Sequence, residues 1–190
     1  MTNARSQVVN LDESAIIREV GESVQHVFST TLALPVTVGG ALMDEPAGEA
    51  CESVLSLIGW SGTWKGTGML SFSPQMACKI ASLMLGTEYG SLSSDVLDAV
   101  GEMANMIFGN VKTNLEAVLG AMDLSIPTVL YGNSLSVRSM VRKAIVIPVM
   151  AEGHTMIVKV HMEPDINHAK RTARLCVNID LAEVSPLDSF

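Results

Sequence analysis

The chain has 190 residues, 48% of them hydrophobic and 4% aromatic, with a formal net charge of −8. That length buries a core of ordinary size in a single domain, filled by aliphatic side chains and 12 methionines. The acidic balance argues against nucleic acid, because there is no basic patch to neutralise phosphates, and no apolar run approaches the roughly 18 residues of a membrane span.

Residues 1–11 read as a loose or strand-like leader. Asp12 to about Thr31 reads as a helix capped by Asp12 or Ser14, with Ile16, Val20, Val24, Val27 and Thr31 as its inner stripe. Pro35-Val-Thr-Val-Gly-Gly begins a strand, and residues 44–50 form a turn or loop. Cys51–Gly59 and Trp64–Phe72 read as a hairpin around Trp60-Ser-Gly-Thr. Ser73-Pro74 opens a helix, with Ser as N-cap and Pro at the first helical position, which ends before Gly86. After a linker over 87–93, a long helix runs from about Ser94 to Leu119 and stops at Gly120. Strands are predicted at 125–131, about 135–149 and 153–162, with Pro148 marking an edge or a bulge. Leu175, Val177, Ile179 and Leu181 alternate with Arg174, Cys176, Asn178 and Asp180, the pattern of a half-buried strand over 172–182. The chain thus divides into a main domain, 1–163, and a C-terminal extension, 164–190.

Two halves of the chain align. Val20-Gly-Glu-Ser-Val-Gln-His-Val-Phe28 matches Val100-Gly-Glu-Met-Ala-Asn-Met-Ile-Phe108, and Leu34-Pro-x4-Gly40 matches Ile126-Pro-x4-Gly132. The second helix carries about twelve extra residues, or three turns. The expected fold is α+β: two copies of helix–strand–strand–strand related by a pseudo-two-fold, long helices laid on antiparallel sheet, and the 74–85 helix between the copies.

The residues that draw attention sit on the long helix. Leu97, Val100, Ala104, Ile107, Val111, Leu115 and Val118 form its apolar stripe. Asp98, Glu102 and Asn105 fall on another face, and Glu102 and Asn105 lie one turn apart. Gly101 beside them costs roughly 1 kcal/mol against Ala in a helix interior, which suggests a neighbour packed very close. In the first copy, Glu22 and Gln25 occupy the slots of Glu102 and Asn105, and Arg18 that of Asp98, so the first helix holds either an altered second site or a decayed copy with a solvated face. Met103 and Met106 flank the polar face, as partner contacts or as core filler. His26, His154, His161 and His168 show neither ligand nor catalytic spacing, nucleophile motifs are absent, and Trp60 and Trp64 read as packing residues. Cys51, Cys78 and Cys176 lack metal or redox spacing and fit a reducing compartment. With a polar N-terminus and no signal-peptide core, the expectation is a soluble, cytoplasmic protein.

Asp98-x3-Glu102-x2-Asn105-x21-Pro127 closely resembles the signature of the CheC/CheX/FliY phosphatases, which act on phosphorylated CheY in bacterial chemotaxis. The surrounding order is most similar to CheX: Leu57-Ile-Gly-Trp-Ser-Gly, Lys65-Gly-Thr-Gly-Met-Leu-Ser-Phe-Ser, Ala81-Ser-Leu-Met-Leu-Gly, then the Glu102/Asn105 helix and Ile126-Pro-Thr-Val-Leu-Tyr-Gly. The likeness covers about residues 15–160, with the spacing to Pro127 one residue shorter than the usual pattern. It implies the fold above, a homodimer through sheet edges, and hydrolysis of the aspartyl phosphate of a CheY-type receiver domain.

The resemblance gives Asn105 the task of orienting the attacking water and Glu102 a salt bridge to the receiver's active-site lysine. Asp98 tunes that contact or caps a neighbouring group. A carboxamide suits water positioning, since it has an acceptor and two donors and does not titrate near neutral pH. No cofactor belongs to this chain, because it has no hard-ligand cluster; Mg²⁺ comes with the receiver. The alternative reading is a non-catalytic module of the same fold that docks a receiver or a flagellar switch.

Overall fold

The computed structural model describes residues 13–42, 52–133, 135–137, 144–165 and 177–178. Helix α1 (Glu13–Thr31) turns Ile16, Val20, Val24, Val27 and Phe28 inward, as its 3.6-residue period requires. A two-residue strand, β1 (Thr37–Val38), is all that forms from the Pro35 segment. Strands β2 (Glu52–Gly62) and β3 (Trp64–Phe72) make the central hairpin. Its turn is tighter than the sequence suggests: β2 continues through Trp60 to Gly62, because Trp60 buries its ring in the core and stays paired with Gly66. Helix α2 (Pro74–Leu85) begins at the Ser73 cap and ends at Gly86 in the left-handed conformation, φ 69°. Helix α3 (Ser94–Leu119) follows with the predicted bounds.

An unexpected short strand, β4 (Met122–Leu124), follows α3, and the strand expected over 125–131 begins three residues late, as β5 (Thr128–Asn133); both pair with β2. The interruption has a cause. Pro127 lacks an N–H to pair, and Ser125 spends its hydroxyl on the Gly59 N–H at 2.9 Å. The long strand expected at 135–149 yields β6 (Ser136–Val137) and β7 (Ile145–Ala151). Strand β8 (His154–Pro164) completes the second hairpin through Glu152 and Gly153, both at positive φ. Of the C-terminal strand, β9 (Val177–Asn178) is described, paired with β6. The leader at 1–11, the loop at 44–50 and the remainder of 172–182 lie outside the described residues.

The sheet order, β1-β7-β8-β3-β2-β4 with β5 also on β2, is antiparallel throughout and reads as a palindrome of the repeat. Each copy lends its first strand to the other's second: β1 to β7, and β5 to β2. The two third strands, β3 and β8, meet in the middle. Pro148 marks the bulge its sequence position suggested. Between the pairs Val38↔Val149 and Leu42↔Val146 the register slips by one residue, and Gly39 donates to the Pro148 carbonyl at 2.8 Å without a return bond. Both long helices lie on one face of the sheet, over Val54, Ile58, Trp60, Leu70, Phe72, Ile147 and Val158. Helix α3 is longer than α1 by 26 residues against 19. That is two turns, not three; the rest of the extra length forms Gly120 and β4.

Candidate functional site

Helix α3 is pinned at both ends. The Ser93 hydroxyl accepts from the Val96 N–H at 3.4 Å at the start. At the far end, Thr63 in the β2–β3 turn donates from Oγ1 to the Leu119 carbonyl at 2.8 Å and from its N–H to Ala121 at 3.2 Å. Gly120 leaves the helix at φ 85°, with its Cα face against Thr63. Glu116 closes the corner: its Oε1 accepts from the Met122 N–H at 3.0 Å and lies 2.9 Å from Lys112 Nζ.

These two bonds hold the Glu116 carboxyl below its ordinary value of 4.5, the Met122 N–H first and Lys112 second. A carboxylate depressed in the folded state stabilises above its unfolded pKa and loses that contribution as pH falls through the folded value. Glu116→Gln is therefore expected to melt below the wild type at pH 7. Thermal melts from pH 7 downward check this, with the gap narrowing as pH drops below about 4.5. A gap independent of pH would remove the carboxylate from the argument.

Along α3 the inner face is Val96, Val100, Met103, Ala104, Ile107, Phe108, Val111 and Leu115, all buried. Met103 is thus core, and Met106 packs half-buried against it. Val118, expected in the apolar stripe, is exposed, because Leu115 and Leu119 hold the inner face of the last turns. Asp98, Glu102 and Asn105 are all exposed on successive turns. Gly101 lies over β5, but the approach is looser than its sequence position suggested. A Cβ there would stand 3.5 Å from Val129 Cγ2, an ordinary contact. Gly101→Ala is accordingly expected to stabilise the fold by about 1 kcal/mol, by removing backbone entropy from the unfolded chain. Urea titration measures it, and a lower midpoint would mean the contact is tighter than this geometry.

After α3 the chain enters β4 and β5, and Pro127 falls in the gap between them. The connection is rigid: Ser125 exchanges backbone and side-chain bonds with Gly59, at 2.9 Å each. It lifts Ile126 into solvent, 89% exposed. Sequence reasoning gave Ile126 no role; its signal was an aliphatic residue before a proline at a strand break.

The candidate site is the exposed strip of α3 that carries Asp98, Glu102 and Asn105. The corresponding strip on α1 carries Glu22 and Gln25, both exposed, with Arg18 bound to Glu19 at 3.0 Å. Among the described residues no group of three or more His, Cys, Asp or Glu could hold a metal ion, and no helix is long and apolar enough to cross a membrane.

Residues 54–150 match the model of the chemotaxis phosphatase CheX family. The chain is 36% identical over 92 residues to the CheY-P phosphatase CheX of Thermotoga maritima, a match spanning 48% of this chain and 59% of that relative. Its fold superposes on the CheX chemotaxis protein from Vibrio vulnificus with a TM-score of 0.72 at 23% identity, covering 78% of this chain and 99% of the other. It superposes also on a Borrelia burgdorferi protein solved as a CheX–CheY–BeF3–Mg²⁺ complex, at a TM-score of 0.68 and 20% identity, covering 78% and 97%.

Proposed function

The chain belongs to the CheX family of chemotaxis phosphatases, and on that premise we propose that it hydrolyses the aspartyl phosphate of a CheY-type receiver domain. The observation that carries the reading is the exposed Glu102/Asn105 pair on α3, a helix fixed at both ends. The Thermotoga relative is a CheY-P phosphatase, and the Borrelia complex pairs a CheX with CheY, a phosphoryl mimic and Mg²⁺.

An acyl phosphate is a reactive bond, so catalysis needs no enzyme nucleophile. It needs a water held in line with phosphorus while the receiver's carboxylate departs. Asn105 orients that water through its carboxamide, and docking of the helix into the receiver excludes bulk solvent. Glu102 pairs with the receiver's lysine and sets the depth of α3 in the pocket. Asp98, one turn earlier, tunes the approach of that lysine. Ile126 and Pro127 give the receiver an apolar contact, where exposure of 89% otherwise has no return. Mg²⁺ enters with the receiver. The protein acts as a homodimer through its sheet edges, a state that light scattering reads directly.

The test is decay of a phosphorylated receiver, with candidate receivers from the same organism as a panel. Accelerated loss of phosphate supports the reading. Binding of the phosphorylated receiver with an unchanged lifetime would make the protein a docking module of the same fold. Gln25→Ala in the same assay decides α1. A fall in rate makes Glu22/Gln25 a second site, and an unchanged rate makes them a decayed copy.

A further inference from the structure

The sheet has a second apolar face. On β2 and β3 the residues alternate, and those not facing the helices include Leu55, Leu57 and Met69, which are 5%, 5% and 6% exposed. Their described apolar neighbours are Leu130, on β5, and Leu135, just before β6. A sheet with both faces apolar needs cover on both. The family fold does not require the whole chain for itself: the Vibrio protein is covered to 99% while 78% of this chain takes part. β6 is joined by β9, which lies within the extension, in the register Ser136↔Asn178 and Val137↔Val177. The alternating Leu175, Val177, Ile179 and Leu181 give that segment one apolar side.

We infer that the C-terminal extension of this chain is the cover for the outer face: its 172–182 strand adds to β6 and lays its apolar side chains over Leu55, Leu57 and Met69 of the same molecule. Reach favours the same molecule over a second copy. Asp165 is fixed at the β2–β3 turn by its N–H bond to the Thr63 carbonyl at 3.0 Å. Leu135 packs on the Leu55, Leu57 and Met69 cluster and lies against Gly132, which pairs with Ser53, ten residues from Thr63 and about 33 Å along β2. The twelve residue steps from Asp165 to Val177 span up to ~40 Å, so the segment reaches. Pairing with β6 also satisfies backbone groups of a strand that has no other described partner.

A cross-link tests the placement. Ser136→Cys with Asn178→Cys, in a full-length background carrying Cys51→Ser and Cys176→Ser, is expected to oxidise to an intramolecular disulfide. It would show as a single-chain mass with faster migration on a non-reducing gel. A covalent dimer would mean that a second copy supplies the strand, and free thiols would mean that no strand is added; either overturns the inference. Ile179→Asp with Leu181→Asp tests the cover itself. Binding of an apolar-surface dye should rise several-fold while the circular dichroism of the helices is unchanged. Dye binding at the wild-type level would leave the outer face without need of this segment.

Discussion

Asn105→Ala is expected to lower phosphate release from a phosphorylated receiver by about 100-fold or more while leaving receiver binding within a few-fold. The separation follows from the placement of the pair. Asn105 is exposed on α3, so its truncation leaves no cavity and costs little stability. Its proposed contribution is to a water present only in the complex. The loss therefore falls on turnover. Glu102→Ala has the opposite profile: a lost salt bridge weakens docking, and the apparent KM rises before kcat falls. Asn105→Asp sharpens the test. It keeps the size but places a negative charge beside the phosphoryl group, so it should not rescue the rate. Single-turnover decay of the phosphorylated receiver measures the chemistry, and titration with a beryllofluoride-loaded receiver measures docking. Full activity in Asn105→Ala would end the water-orienting role. Equal losses in rate and binding would make Asn105 a docking residue.

Much of this arrangement is legible in the amino-acid sequence, for identifiable reasons. Helices α2 and α3 have Ser caps at their starts and Gly at their ends, and their bounds follow from those residues alone. The repeat is visible in Val20–Phe28 against Val100–Phe108, and the palindromic strand order is its three-dimensional form. What the sequence conceals is tertiary. Nothing local says that β1 and β5 cross to the other copy's strands, because strand pairing is a long-range choice. The break at 125–127 depends on Ser125 reaching Gly59, a bond across 66 residues of chain. Pattern alone cannot tell a half-buried strand from one in a second apolar layer, so Leu55, Leu57 and Met69 look like ordinary alternation. The exposed pair is recognisable only through its resemblance. Glu and Asn one turn apart are common on helices, and only the wider motif with Asp98 and Pro127 sets this pair apart.

Gly68→Val is expected to cost about 3 kcal/mol or more, enough to remove much of the stability of a domain that has roughly 5–15 kcal/mol in all. The reason is where α3 rests on the sheet. Gly68 lies on the helix-facing side of β3, between β2 and β8. A Cβ there would stand 2.7 Å from Phe108 Cε1 and Cζ and 2.8 Å from Trp60 Cη2. Those two rings meet edge to face, 5.3 Å between centroids at 81°, and both are essentially buried. Neither has an open direction in which to yield, so even one methyl has to push α3 off its seat. Phe108 is one turn from Asn105, so the displacement reaches the site as well. Gly68→Ala, the gentler variant, should lower the melting temperature by several degrees and reduce phosphate release. Phe108→Leu in the same chain should recover part of the stability, because the two changes share one contact and do not add. The contrast with Gly101→Ala is the control. Both substitutions replace glycine by alanine where α3 meets the sheet, yet 2.7 Å against a buried ring and 3.5 Å against a single methyl give opposite signs. Urea midpoints for the two variants side by side decide it, and a Gly68→Ala midpoint at or above wild type would mean that the ring pair is free to shift.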